Sequence, residues 1–177
     1  MPYIEQKDRK QFEGILLVLS TFKKVEKSGD VLHLLKYVIS IYLNRTDRKY
    51  ANHNELIGVI TASYLEVTRR LGVKAKLDFN RKDVVTENVT PLCIEIIGTI
   101  KDEGLIKTPG ELNYFISCII LEHIKEIENS LAKIQIHKKT AIKNELSYIY
   151  SALLFDFYYN ETAIYEDQKC KLNGDVL

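Results

Sequence analysis

The sequence contains the stretch Gly29-Asp30-Val31-Leu32-His33-Leu34-Leu35, and 81 residues later it contains the stretch Gly110-Glu111-Leu112-Asn113-Tyr114-Phe115-Ile116. In both stretches a glycine and an acidic residue precede a run of apolar residues. Apolar residues continue after each stretch at the spacing of a helix buried among neighbours. The similarity indicates that one helical element is present twice in the chain.

Two further matches occur in the same order on either side of this one. Asn54-Glu55-Leu56 is matched by Asn144-Glu145-Leu146 at an offset of 90, and Ile15-Leu16-Leu17 is matched by Leu92-Cys93-Ile94 at an offset of 77. Growing offsets with a constant order are typical of a tandem duplication that has acquired insertions in its loops. We therefore predict two homologous halves.

Each half has the apolar periodicity of three helices. We predict an all-α fold, a helical bundle of two tandem three-helix units related by a pseudo-two-fold axis. Residues 1–72 form the first repeat, 73–88 an extended linker, 89–162 the second repeat and 163–177 a C-terminal tail. Three such helices cannot bury their apolar central member alone, so we expect the repeats to pack as one globular unit.

Helix boundaries are marked by residues with special backbone preferences. Gly72 and Gly104 each follow an apolar helical pattern, and glycine at this place commonly ends a helix. Thr108-Pro109-Gly110-Glu111 has the form of a capping box, with a hydroxyl at the N-cap and a carboxylate three residues later. The box predicts that a helix begins at Pro109.

Charge and composition exclude several classes of protein. The 177 residues carry a net charge of +1, which argues against a nucleic-acid-binding protein. Residues 1–75 hold 13 Lys/Arg and 8 Asp/Glu (+5), whereas residues 76–177 hold 12 and 16 (−4), so opposite charges favour docking of the halves. No apolar run is long enough to span a bilayer, and the N-terminus is charged rather than apolar. We expect a cytoplasmic protein that does not contact membranes.

The first candidate site is the repeated Asn-Glu pair, Asn54, Glu55, Asn144 and Glu145. In one interpretation the four side chains meet near the pseudo-axis and form a polar pocket for a small ligand. In the other, each Asn caps its helix or fixes the helix register, and each Glu is stabilised by the macrodipole of the first turn.

The second candidate site consists of Glu66, Arg69 and Arg70, which lie three and four residues apart on one helix face. The guanidinium groups could bind an anionic ligand, or the three residues could form an ordinary intrahelical ion pair. In the second half the same places hold Asp156, Tyr159 and Asn160. A symmetric arginine site would therefore survive in one half only.

The sequence contains no recognisable catalytic, metal-binding or cofactor-binding motif. HExxH, GxSxG, Walker A and GxGxxG patterns are absent, and the three cysteines are far apart. Glu122, Glu126 and Glu128 lie near one another but lack a second acidic helix of matching spacing for Mg²⁺. We expect no cofactor and favour a protein that is not an enzyme, with a metal-dependent hydrolase as a third alternative.

Short motifs at both ends resemble those of a known family. They are Met1-Pro2-Tyr3-Ile4 at the start, Gly-Glu-Leu-Asn-Tyr at 110–114, and Asn173-Gly174-Asp175-Val176 near the end. The chain resembles a family of small uncharacterised proteins of phages and bacteria, which start with Met-Pro-Tyr-Ile and end with Asn-Gly-Asp-Val and an aromatic residue. The resemblance implies a fused pair of family members and no established activity.

Two functions from different classes follow from these observations. The leading hypothesis is a protein-interaction or assembly module that binds a protein partner or itself, since tyrosines are numerous on the predicted helices. The alternative is a small-molecule binder that sequesters an anionic nucleotide-type ligand, with a role in phage anti-defence. It depends on the Asn-Glu pairs together with Arg69 and Arg70.

Overall fold

The computed structural model describes residues 5–21, 28–45, 50–74, 76–77, 90–132 and 138–173. Every regular element in these ranges is helical, so the predicted all-α class is confirmed. A 3₁₀ helix (Gln6–Phe12) leads into α1 (Glu13–Thr21), followed by α2 (Ser28–Asn44), α3 (Tyr50–Leu71), α4 (Thr90–Asp102), α5 (Pro109–Ala132) and α6 (Lys138–Phe157). A π-helical turn (Tyr158–Thr162) then joins α6 to α7 (Ala163–Asn173).

The predicted capping box opens α5. The backbone N–H of Glu111 donates to Thr108 Oγ1 (3.2 Å), and the backbone N–H of Thr108 donates to Glu111 Oε2 (3.0 Å). The Glu111 carboxylate also accepts the backbone N–H of Lys107. These bonds satisfy N–H groups that lack intrahelical partners, which fixes the start of the helix.

Both predicted glycine stops are confirmed. Gly72 and Gly104 each have φ of +62°, a left-handed conformation that glycine adopts without steric cost. After Gly72 the N–H of Val73 donates to Thr68 O (3.1 Å), and after Gly104 the N–H of Leu105 donates to Ile100 O (2.9 Å). This six-to-one bond is the Schellman pattern, which ends a helix and turns the chain away from it.

The helices pack mainly across the boundary between the two halves of the chain. The most extensive pairs are α3 with α5 and α2 with α6, followed by α3 with α6 and α2 with α5. Among the described residues, the most extensive contact between two α-helices of the same half is that of α5 with α6. The two halves therefore share one hydrophobic core, in which Leu32, Leu34 and Leu35 of α2 and Phe115 and Ile116 of α5 are almost fully buried.

Arg45 joins the end of α2 to the end of α4. Its guanidinium donates to the carbonyl oxygens of Ile100 (3.3 Å) and Ile106 (3.4 Å) and also to that of Leu105. The Ile100 carbonyl lies in the last turn of α4 and the other two lie in the chain that follows it, and a cation near a helix C-terminus is favourable. Ile106 has φ of +62°, which is unusual for a β-branched residue, and its side chain is fully buried.

The helix α7 packs against the start of α3. The His53 ring is buried and stacks on Tyr165 of α7 (centroids 5.4 Å apart), with Phe157 at 5.9 Å. Thr162 Oγ1 lies 3.5 Å from His53 Nδ1. Residues 163–173 of the predicted tail are therefore a docked helix, while residues 174–177 lie outside the described part.

A buried hydroxyl network joins α3, α5 and α6 where they cross. Ser63 Oγ is 2.9 Å from Ser117 Oγ and 2.8 Å from the Tyr150 hydroxyl oxygen. All three residues are buried. Burial is the main reason why the pKa of Tyr150 is raised. Such a satisfied network fixes the register of the three helices relative to one another.

Among the described residues, no helix combines the length and the apolarity needed to cross a lipid bilayer.

Candidate functional site

The repeated glutamates Glu55 and Glu145 each bond to a side chain on the preceding long helix. The Tyr42 hydroxyl on α2 donates to Glu55 Oε1. His123 Nε2 on α5 lies 2.8 Å from Glu145 Oε1, and because an ionised carboxylate can only accept, Nε2 carries the hydrogen. Burial and the Glu55 carboxylate together raise the pKa of Tyr42. The structure thus places each glutamate against a donor from its own half.

The asparagines Asn54 and Asn144 have exposed side chains and do not cap their helices. The helix α3 begins at Tyr50 and α6 begins at Lys138, so both asparagines lie in the second turn. The capping interpretation was wrong for both, because the residues just before each asparagine already belong to the helix. His53, which precedes Asn54, lies in α3 and packs among aromatic rings. The two glutamates likewise lie beyond the first turn.

The second candidate site forms an intrahelical ion pair near the end of α3. Glu66 is buried, and it accepts bonds from Arg69 Nε (3.0 Å), Arg69 Nη2 (2.8 Å) and Arg70 Nε (2.6 Å). The bonds from both arginines lower the pKa of Glu66 to about 2. The guanidinium groups are thereby held side by side at the end of the helix.

Glu66→Gln is expected to lower the free energy of unfolding by about 1–2 kcal/mol at pH 7, since a buried carboxylate loses its charge-assisted bonds from two partly exposed arginines. The pKa of the carboxyl group is below its ordinary value of 4.5 in the folded protein. Its stabilising effect is therefore complete above pH 4.5 and lost as the pH falls towards 2. Urea unfolding from pH 7 to pH 2 should show the two proteins converging in acid, whereas Glu95→Gln, at an exposed position, should track the original protein throughout.

At the offset of 90, Asp156 is the predicted counterpart of Glu66 in the second half. Asp156 Oδ2 is 3.1 Å from Lys36 Nζ of α2, and Asn160 Nδ2 donates to Asp156 Oδ1 (2.7 Å). Asn160 follows Asp156 by four positions, as Arg70 follows Glu66, and each of them donates to the acidic residue before it. The chemistry differs, because the second half has no arginine at either place.

Several large apolar side chains remain exposed on the surface. Those on or near the end of α6 are Phe155, Tyr158 and Tyr159, whose rings contact one another at centroid distances of 4.5 Å (Phe155 to Tyr159) and 5.4 Å (Tyr158 to Tyr159). The sequence shows the tyrosines here but does not distinguish the exposed ones from the buried ones. Helical periodicity cannot do so across the π-helical turn, because a π turn changes the number of residues per turn.

Comparison with known proteins gives one match. A family model described as a domain of unknown function (DUF6899) matches residues 1–76. No curated protein and no solved structure matches the chain. The expected similarity to an uncharacterised family is thus found over the first half. The start motif, most of the end motif, and residue 75 and residues 78–88 of the linker lie outside the described residues, so these predictions stay untested.

Proposed function

We propose that the chain is a tandem interaction module that assembles with further copies of itself through apolar positions present in both halves. The observation that carries the proposal is the exposure of Leu65 (54%) on α3 and of Phe155 (44%) on α6. These residues occupy equivalent places at the offset of 90. A second equivalent pair, Leu17 (65%) and Ile94 (66%), is exposed in the same way on α1 and α4.

Residues close to Leu65 and Phe155 differ between the two halves, so the presence of an apolar residue at both of these places is informative. Arg69 and Arg70 correspond to Tyr159 and Asn160, although the apolar residues just before them are retained. A solvent-facing leucine or phenylalanine contributes little to the stability of a monomer. Their exposure at equivalent places in both halves supports a protein surface that covers them.

The packing of the helices supports the duplicated arrangement that the proposal requires. A two-fold relation between the halves would exchange α1 with α4, α2 with α5 and α3 with α6. Under this exchange the pair α3–α5 becomes the pair α6–α2, and the pair α1–α5 becomes the pair α4–α2. All four pairs are in contact, as are the pairs α1–α4, α2–α5 and α3–α6 that the exchange leaves unchanged. The family match over residues 1–76 covers the predicted first repeat and a few residues of the linker.

Hydrogen bonds support the same equivalence. Tyr42 and His123 are related by the offset of 81, and their acceptors Glu55 and Glu145 are related by the offset of 90. A chain with equivalent surfaces in both halves offers two binding places for the next copy. The opposite net charges of the halves favour contact between the first half of one copy and the second half of another.

Sedimentation velocity over about 1 µM to about 1 mM protein tests the proposal. The original chain should form dimers or larger species, and the double variant Leu65→Ser, Phe155→Ser should remain monomeric with unchanged helix content by circular dichroism. Leu172→Ser is the matched control, because Leu172 is exposed on α7 outside the repeats and should leave assembly unchanged. A chain that is monomeric over the whole range would contradict self-assembly.

A further inference from the structure

The two exposed apolar positions on α3 and α6 have different side chains beside them. We call α3 face the exposed residues Leu65, Arg69 and Arg70. We call α6 face the exposed residues Phe155, Tyr158 and Tyr159. At the offset of 90, Leu65 matches Phe155, and Arg69 matches Tyr159. The faces are therefore alike at one apolar position, but a cation of the first face stands where the second face has an aromatic ring.

The buried Glu66 carboxylate holds the guanidinium groups of the α3 face in place. It accepts two bonds from Arg69 (3.0 and 2.8 Å) and one from Arg70 (2.6 Å). The Arg69 side chain nevertheless remains 70% exposed. The N–H bonds of a guanidinium group lie in its plane, so they are compatible with stacking of its flat face on an aromatic ring. The α3 face thus presents an arginine that is already oriented.

The rings of the α6 face are also held in fixed positions. Phe155 and Tyr159 contact each other at 4.5 Å, and Tyr158 and Tyr159 meet edge to face at 5.4 Å with an interplanar angle of 87°. The Tyr158 hydroxyl donates to Glu166 Oε2 of α7 at 3.4 Å. Side chains that are held in this way lose little rotamer freedom when a partner binds. The α6 face is therefore a preformed aromatic surface, and such a surface attracts arginine.

The charges around the two faces are opposite. Residues 61–74 contain three Lys/Arg and one Asp/Glu, which gives a net charge of +2, whereas residues 151–164 contain no Lys/Arg and two Asp/Glu, which gives −2. Contact between two α3 faces would bring positive charge against positive charge, and contact between two α6 faces would bring negative against negative. Contact between unlike faces brings opposite charges together and is favoured over both.

We infer that the α3 face of one copy packs against the α6 face of another copy. In this contact the guanidinium group of Arg69 stacks on the ring of Tyr159, while Leu65 and Phe155 cover each other. The inference rests on the proposed self-assembly and adds which surfaces meet. Every copy has one face of each kind, so the same contact can form twice in a closed dimer or once between successive copies.

Two variants, each altered in one face only, test this pairing. The first carries Leu65→Ser and Arg69→Gln, and the second carries Phe155→Ser and Tyr159→Ser. Each variant alone should be monomeric in sedimentation velocity where the original chain is assembled, because every contact between its own copies includes an altered face. An equimolar mixture should form dimers, because the intact α6 face of the first variant can pack against the intact α3 face of the second. Circular dichroism should show unchanged helix content, since the altered side chains are exposed.

Pairing of each face with its own kind would give the opposite result. Each variant alone would then still dimerise through its unaltered face, and mixing would produce no new species. That result overturns the inference, as does a mixture that remains monomeric at about 1 mM. A monomeric original chain contradicts self-assembly itself, so failure of the pairing and failure of the proposed function are distinguishable.

A single substitution tests the contact of the arginine with the ring. Arg69→Gln should raise the dissociation constant of the assembly at least about fivefold, because it removes the cation that stacks on the aromatic surface. Arg70 keeps its bond to Glu66 in this variant. Lys101→Gln makes the same charge change at an exposed position of α4 outside both faces, and it should leave the constant within about twofold. Equal effects of the two substitutions would overturn the assigned contact.

Discussion

Phe12→Ala is expected to lower the free energy of unfolding by about 3–5 kcal/mol, the range for truncation of a fully buried phenylalanine. Phe12 has no exposed surface and contacts the rings of Tyr114 and Phe115. Its removal leaves a cavity between the start of the chain and α5 in addition to the lost transfer free energy. The contact joins the two halves, so the loss affects the shared core.

Urea unfolding followed by circular dichroism measures this change as a shift of the midpoint with an unchanged slope. Leu172→Ala is the matched control, since Leu172 is an aliphatic residue of α7 that is largely exposed, and it should cost less than about 0.5 kcal/mol. Equal effects of the two substitutions would show that the 3₁₀ helix is not fixed by Phe12.

His123→Leu is expected to cost about 2–3 kcal/mol, because it deprives the Glu145 carboxylate of a buried donor. The His123 side chain is 1% exposed and that of Glu145 is 20% exposed. Leucine fills a similar volume but offers no N–H group. The cost therefore comes mainly from the carboxylate, which lies beside an apolar side chain after the substitution.

The first half indicates which substitution should restore stability. Tyr42, the predicted counterpart of His123, donates to Glu55, so His123→Tyr should recover at least about half of the loss seen with leucine, less the cost of fitting a larger ring. Chemical denaturation of the three proteins gives the comparison. If tyrosine were no better than leucine, positions 42 and 123 would not be equivalent.

Features set by short-range chemistry were predictable from the sequence. The capping box at Thr108 and the stops at Gly72 and Gly104 depend on residues within six positions of one another, and the structure has all three. The all-α class follows from apolar periodicity, which is strong in α2 and α5. The intrahelical interpretation of Glu66, Arg69 and Arg70 was predictable for the same reason, since their spacing of three and four residues places them side by side.

Features that depend on distant parts of the chain were not predictable. Arg45 bonds to carbonyls 55 to 61 residues away, and nothing near Arg45 in the sequence indicates this. The donors to Glu55 and Glu145 come from other helices, so the Asn-Glu pairs looked like helix caps.

The π-helical turn at Tyr158–Thr162 has a consequence for the angular position of everything that follows it. A π turn contains about one residue more than an α turn, and one residue corresponds to about 100° of rotation around a helix axis. If the same residues continued as a regular α-helix instead, the extra residue would swing Tyr165 away from His53 by about a quarter of a circle. A single helical wheel therefore does not describe the chain from Lys138 to Asn173. The stacking of Tyr165 on His53 depends on the change of helical phase at the π turn.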